Sequence, residues 1–226
     1  MRIAIVGAGN IGSTLAKLWI DAGHEVLLSS RHPAELQPLI GKLGARATAG
    51  TPREAAAFGD VVLLAVPLKA VPDIARDIAP ALDGKVVIDA GNAYAGRDGS
   101  AAIDAEADPE GSAGWTAAMF RGSKWVKAFN TVNYNVLQRE AHRPEKPIGV
   151  PIAGDSEDAL DVAAGLTSDA GFDPVVVGPL ARGKEFEPGT RPYNSKMSGQ
   201  ELREFWSADS DRHRNAAARS PEPGGA

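Results

Sequence analysis

The chain has no cysteine. Disulfide frameworks, thiolate nucleophiles and cysteine-ligated metals are therefore excluded, and nothing in the composition calls for an oxidising compartment. Histidine is scarce, and His24, His32, His142 and His213 lack the spacings that hold a structural zinc, so no metal is expected. No apolar run approaches the roughly 20 residues needed to cross a bilayer. The chain also opens on a core-type strand instead of a charged and apolar leader, so a cytoplasmic protein with no membrane partner is the expectation. Basic charge is in short supply too. With 24 Lys and Arg against 29 Asp and Glu, the formal net charge of -5 offers no field for nucleic acid.

What is present is an ordinary globular composition, 43% apolar in 226 residues, enough for one sizeable core and a small appendage. The most informative stretch is the first. An apolar strand, residues 2–6, runs into Gly7-Ala8-Gly9-Asn10-Ile11-Gly12, and Ile11, Leu15, Leu18 and Ala22 then recur on one helical face. The glycine spacing G-x-G-x-x-G between a strand and a helix is the pattern of a dinucleotide-binding turn. Gly7 permits the sharp turn, Gly9 lets the backbone approach a pyrophosphate, and Gly12 lets the helix lie close on its strand. The phosphates then sit at the helix N-terminus. The competing reading is a glycine turn with no ligand.

Residues 25–28 form the second strand, and the residues at its end select the cofactor. An Asp or Glu there would hold a ribose 2′-hydroxyl and repel a 2′-phosphate. This chain has Ser29-Ser30-Arg31, two hydroxyls and a permanently charged fork, which favours NADP over NAD. Further strands are expected at residues 45–48, 60–66, 85–89, 125–129, 148–153 and 175–177, separated by helical segments. Thr51 and Pro52 read as a helix start, and Asp155 as the cap of a helix running to Ala170. The pattern predicts a Rossmann-type, doubly wound α/β fold with a mainly parallel sheet of seven or eight strands.

In that fold Val66, Pro67 and Leu68 line the cofactor crevice where strand order reverses, and Gly91 and Asn92 extend it toward the nicotinamide. Asn92 either bonds the cofactor or merely shapes a turn. Asn130 and Thr131 leave the next strand end in the same way and are candidates to orient a substrate. Residues 95–114, rich in Gly, Ala, Ser and Asp, read as a loop with one short helix. The domain reading is residues 1–178 for the NADP-binding domain, 179–206 for an arm that completes the site or makes a dimer contact, and 207–226 for a disordered tail beyond a short helix ending at Trp206.

Several of these motifs occur together in one family. The glycine turn, the Ser-Arg pair, Ile88-Asp89-Ala90-Gly91-Asn92, Val126-Lys127-Ala128-Phe129-Asn130-Thr131, Pro151-Ile152-Ala153-Gly154-Asp155 and Ala170-Gly171-Phe172-Asp173-Pro174 resemble the NADPH-dependent reductases of coenzyme F420, an 8-hydroxy-5-deazaflavin. The resemblance runs from residue 1 to about residue 195, and the cytosolic reductase domain of transmembrane metalloreductases is similar too. It implies an oxidoreductase that moves hydride between NADP(H) and F420. Such chemistry suits a crevice without an obvious His, Cys or Lys acid-base set, and it leaves no catalytic residue to name.

By position, the resemblance implies that Gly7, Gly9, Asn10, Ile11 and Gly12 hold the pyrophosphate and Ser30 and Arg31 the 2′-phosphate, while Asn130 and Thr131 border the deazaflavin; a homodimer is expected. One departure is visible. Family members often carry a second cation shortly after the Ser-Arg pair, where Glu35 stands here, leaving Arg31 with His32 as a helper. Arg121, Lys124 and Lys127 are the expected attractants of the anionic deazaflavin tail, with Arg182, Lys184 and Arg191 as the alternative set. The rival functions are an NADP-dependent dehydrogenase of a small hydroxy- or imino-acid, for which few residues remain beyond Gly149, and a non-catalytic NADP sensor.

Overall fold

The alternation of short apolar runs with amphipathic segments produces, in the computed structural model, one eight-stranded sheet; the structure describes residues 1–218. The strands are β1 Arg2–Val6, β2 Glu25–Ser29, β3 Ala47–Gly50, β4 Val61–Leu64, β5 Val86–Asp89, β6 Lys124–Lys127, β7 Gly149–Gly154 and β8 Asp173–Gly178. Their order is β3-β2-β1-β4-β5-β6-β7-β8, parallel throughout except for the β6–β7 pair. The chain therefore builds outward from β1 in one direction, returns, and builds outward from β4 in the other. A crevice opens at the carboxyl ends of β1 and β4, where the direction reverses.

The helices are α1 Asn10–Asp21, α2 Gln37–Leu43, α3 Pro52–Phe58, α4 Val71–Ile78, α5 Ala95–Asp98, α6 Ser100–Ala107, α7 Gly111–Ala117, α8 Tyr134–Glu140, α9 Glu157–Asp169 and α10 Gly199–Ala218. They cover both faces of the sheet, so successive strand residues belong to different cores. Ile3 and Ile5 pack with Leu15, Trp19 and Leu166 from α1 and α9. Ala4 and Val6 pack with Ala55, Val71 and Ile78 from α3 and α4. This two-sided burial explains why the strands read as continuous apolar runs. Trp19 joins the first layer across the chain, its indole N–H donating to the Leu166 carbonyl at 2.8 Å and its ring lying edge-on to Phe129 at 5.8 Å.

Local signals hold well at α3, where Thr51 and Glu54 form a reciprocal cap with Pro52 in the first turn. Asp155 does not cap α9. Ser156 holds that position, and the Asp155 carboxylate accepts from the Leu180 N–H at 3.0 Å, tying the C-terminal arm to the end of β7. Residues 95–114 are not a loop but contribute α5, α6 and α7. Their buried residues are mostly Ala102, Ala105, Ser112, Ala113, Gly114 and Thr116, too small to give the periodic pattern of large apolar side chains. The last helix passes Trp206 and continues to Ala218, because no Gly or Pro interrupts the run after Gly199. The remainder of the expected tail, residues 219–226, lies outside the described residues. Beyond Gly178 the arm packs Phe186, Leu202 and Trp206 against Ala153, Val175 and Val177.

Candidate cofactor and substrate crevice

The three motif glycines have different roles. Gly7 has φ +109°, and a Cβ there would lie 2.4 Å from the Ala65 carbonyl oxygen, so the β1 turn and the end of β4 can approach only over glycine. A Cβ on Gly12 would lie 2.1 Å from the Gly7 carbonyl oxygen, which fixes α1 close to its strand. Gly9 is unlike both: its backbone is extended and a Cβ there would meet nothing within 4 Å. The fold needs Gly7 and Gly12, while the open space over Gly9 leaves room for a ligand. Gly9 is also the N-cap of α1, which has no side-chain cap and no acidic residue in its first turn. The N–H groups of Asn10, Ile11 and Gly12 consequently lack helical acceptors, and the positive end of the helix dipole faces the crevice.

Two cavities flank this turn. One, of about 590 Å³, is lined by Gly7, Gly9, Ser29, Ser30, Arg31, Val66, Pro67 and Lys69 among others. Among the described residues its one lining carboxylate is Asp73, already paired with Arg76. Arg31 is exposed and makes no ion pair among the described residues, and the buried Ser29 hydroxyl has no partner. Ser30 Oγ accepts from the His32 N–H at 3.1 Å, ordering the turn that presents Arg31. Neither His32 nor Glu35 lines the cavity. Hydroxyls and an unpaired guanidinium, with no free carboxylate beside them, suit a phosphate on the ribose, so these residues fit NADP.

The other cavity, of about 300 Å³, is lined by Gly9, Asn10, Ile11, Val66, Pro67, Gly91, Asn92 and Asn130, together with residues from the arm. The two share Gly9, Val66 and Pro67 and so form one crevice along the carboxyl edge. Asn92 and Asn130 brace one another: Asn92 Nδ2 donates to the Asn130 carbonyl at 2.9 Å, and Asn130 Nδ2 donates to Asn92 Oδ1 and to the Phe186 carbonyl, each at 3.1 Å. The buried Asn130 Oδ1 is left without a protein donor. Buried polar atoms are normally paired, so this oxygen and Ser29 Oγ beneath the crevice wall carry hydrogen-bonding capacity that the described residues leave unused.

Three of the expected site residues do not line either large cavity. Gly12 lies beneath the turn, Leu68 is buried in the core, and Thr131 faces a small neighbouring void with its hydroxyl buried and unpaired. Other contributors carry no sequence signal. Tyr94, Arg97, Tyr193 and Asn194 line the second cavity, Tyr193 and Asn194 arriving from the arm. The Tyr94 and Tyr193 hydroxyls are in contact, and the Asn194 N–H donates to the Thr131 carbonyl at 3.0 Å. Burial, together with the Tyr94 hydroxyl, pushes the Tyr193 phenol up to about 12. Phe129 has a left-handed backbone, φ 63°, at the bend between β6 and Asn130, an uncommon conformation for an aromatic residue that no sequence pattern announces.

The expectation for the tail cations is corrected by the sheet. Lys124 starts β6, at the end of the sheet opposite the crevice, and pairs with Asp158 at 3.2 Å; Arg121 precedes it. Lys127 is fully buried and pairs with Asp89 at 2.9 Å while donating to the Gly91 carbonyl at 2.5 Å and to Ser112 Oγ at 3.2 Å. None of these, nor Arg182, Lys184 or Arg191, lines the second cavity, where Arg97 is the lining cation. Arg97 donates to the buried Asp98 carboxylate and to the Asn92 carbonyl.

Sheet order, glycine turn and a second-strand end free of acids define a dinucleotide-binding protein of Rossmann architecture. The family model described as NADP oxidoreductase coenzyme F420-dependent matches residues 2–93. The F420-dependent NADP reductase of Methanothermobacter thermautotrophicus is 32% identical over 179 residues, 74% of this chain and 75% of the relative. The chain belongs to the coenzyme F420-dependent NADP oxidoreductase family. Among solved structures, the hypothetical protein SMa0349 from Sinorhizobium meliloti is 32% identical with a TM-score of 0.74, covering 86% of this chain and 93% of that one. A candidate F420-dependent NADP reductase from Arthrobacter sp. FB24 shares the fold at 23% identity and a TM-score of 0.68, over 80% and 86% of the two chains. Among the described residues no helix is long and apolar enough to cross a membrane, and no group of three or more His, Asp or Glu could hold a metal ion.

Proposed function

We propose that this enzyme transfers hydride between NADP(H) and coenzyme F420 within the crevice at the carboxyl edge of the sheet. The observation that carries the reading is the lining of the second cavity, which among the described residues contains no His, Lys, Asp or Glu. Reduction of a carbonyl or imine commonly draws on a positioned proton donor at the acceptor atom, and this lining offers only tyrosine hydroxyls for that task, Tyr193 among them pushed up by burial. In hydride exchange between two coenzymes both reactive carbons belong to the coenzymes, and the one proton taken up with the hydride goes to a ring nitrogen of the deazaflavin, which can receive it from solvent without a positioned side-chain acid. This weighs against a hydroxy- or imino-acid dehydrogenase.

When bound, NADPH supplies the hydride. The chain's own contribution is position. The free N–H groups at Asn10, Ile11 and Gly12 hold the pyrophosphate over Gly9, and Ser29, Ser30 and Arg31 take the 2′-phosphate. Val66 and Pro67 form the apolar wall shared by both halves of the crevice, with Leu68 anchoring that wall from behind. Gly91, Asn92 and Asn130 supply hydrogen bonds at the nicotinamide and deazaflavin edges, and Thr131 borders the deazaflavin beside Asn130. Tyr193, neutral, donates from the arm, so residues 179–206 complete the site and help exclude water. The reading includes a cytoplasmic homodimer, for which the partly apolar groove of Arg191, Met197 and Phe205 is a suitable surface.

Its cofactor half is tested by Arg31→Ala. The variant should weaken NADPH by about 2 to 3 kcal/mol, the scale of a lost charge-assisted contact, while NADH binding stays nearly unchanged. Calorimetric titration with each nucleotide checks this. Equal losses for the two would rule out a phosphate clamp at Arg31.

A further inference from the structure

Lys69 stands on the wall of the larger cavity opposite Arg31. It lies in the turn Leu68–Ala70 that comes after β4, whereas Arg31 comes after β2, and only β1 separates those strands. At about 4.8 Å per strand, the ends of β2 and β4 are on the order of 10 Å apart, and Arg31 and Lys69 line the same cavity beyond them, so two long cationic side chains can address one anion there. Leu68 is buried in the core, while Lys69 beside it is exposed. The Lys69 backbone N–H donates to Asp98 Oδ1 at 3.3 Å, and Asp98 is itself buried. The turn is thus held from beneath while the ammonium is left free; it has no ion-pair partner among the described residues.

The carboxylates near this wall are already committed. Asp73 pairs with Arg76, and Glu54 is engaged in the cap with Thr51. Arg31 is equally unpaired, so the cavity presents two uncompensated cations from two different strand ends. A phosphate monoester carries about -1.5 to -2 charge near neutrality, more than one guanidinium offsets. We propose that Lys69 is a second cation of the 2′-phosphate site, sharing that cavity with Arg31. The α1 N–H groups already serve the pyrophosphate, and Lys69 does not line the second cavity, which leaves the ribose phosphate as its target. This rests on the NADP reading of the crevice.

The test is Lys69→Gln and Lys69→Arg in the full chain, titrated with 2′,5′-ADP, 5′-ADP, NADPH and NADH at low and high salt. Gln keeps the backbone donor to Asp98, so thermal unfolding should match the parent. The expected result is a roughly tenfold weaker affinity for 2′,5′-ADP and NADPH, near-constant affinity for 5′-ADP and NADH, recovery in the Arg variant, and a shallower salt dependence. Equal losses for phosphorylated and unphosphorylated ligands would assign Lys69 to the pyrophosphate and overturn the proposal, as would no loss at all. A parent enzyme with no preference for NADPH over NADH would instead defeat the underlying cofactor reading, so the two failures are distinguishable.

Discussion

Gly9→Val should abolish binding of NADPH and NADH alike while leaving the fold intact. The separation of these effects comes from geometry. A Cβ on Gly9 meets no protein atom within 4 Å, and its extended backbone, with φ -74°, is open to a β-branched residue. The space that the valine fills is the space over the α1 N-terminus, where the pyrophosphate has to approach the backbone. Gly12→Val makes the contrasting control, since its Cβ would be driven into the Gly7 carbonyl and should damage folding. Circular dichroism and thermal unfolding beside nucleotide titration read both. Retained binding in a folded Gly9→Val protein would place the dinucleotide elsewhere.

Lys127→Met carries the largest expected loss of stability, about 3 to 5 kcal/mol, because it strands a buried carboxylate. The Lys127 and Asp89 side chains are 0% and 3% exposed. Asp89 also accepts from the Gly91 N–H at 2.8 Å, so the pair fixes both polar groups of Gly91, one through each partner. Ser112 extends the network to Glu187 on the arm, its hydroxyl donating at 2.5 Å. Removing the ammonium should therefore loosen the Gly91-Asn92 edge of the crevice as well as the fold. Adding Asp89→Asn removes the orphaned charge but keeps an acceptor for Gly91, and should recover a substantial part of the loss. Urea unfolding of the single and double variants measures this coupling. A single-variant loss below about 1 kcal/mol, the scale of an exposed pair, would mean the pair is not buried as described.

Legibility in the sequence depends on the range of the forces involved. The glycine turn is legible because Gly7, Gly9 and Gly12 answer to local backbone geometry, and Ser29-Ser30-Arg31 because a strand end fixes where its next residues emerge. Lys127 reads as a free cation available to the deazaflavin tail because its partner Asp89 lies on the adjacent strand, 38 residues away. Residues 95–114 read as a loop because alanine and serine can be buried without leaving a periodic signature. Tyr193 and Asn194 reach the crevice only through tertiary packing of the arm around Phe186, which no local pattern encodes. Lys69 obeys the same logic: the sequence places it three residues after Val66, but only the sheet order sets it across from Arg31.

The most direct test of hydride exchange between the two coenzymes is anaerobic mixing of the enzyme with NADPH and oxidised F420, with the absorbance of both recorded. The expected result is that the deazaflavin is reduced with one NADPH consumed for each F420, that NADH substitutes poorly, and that Gly9→Val is inactive. An enzyme that binds NADPH tightly yet leaves oxidised F420 unchanged would contradict the assignment.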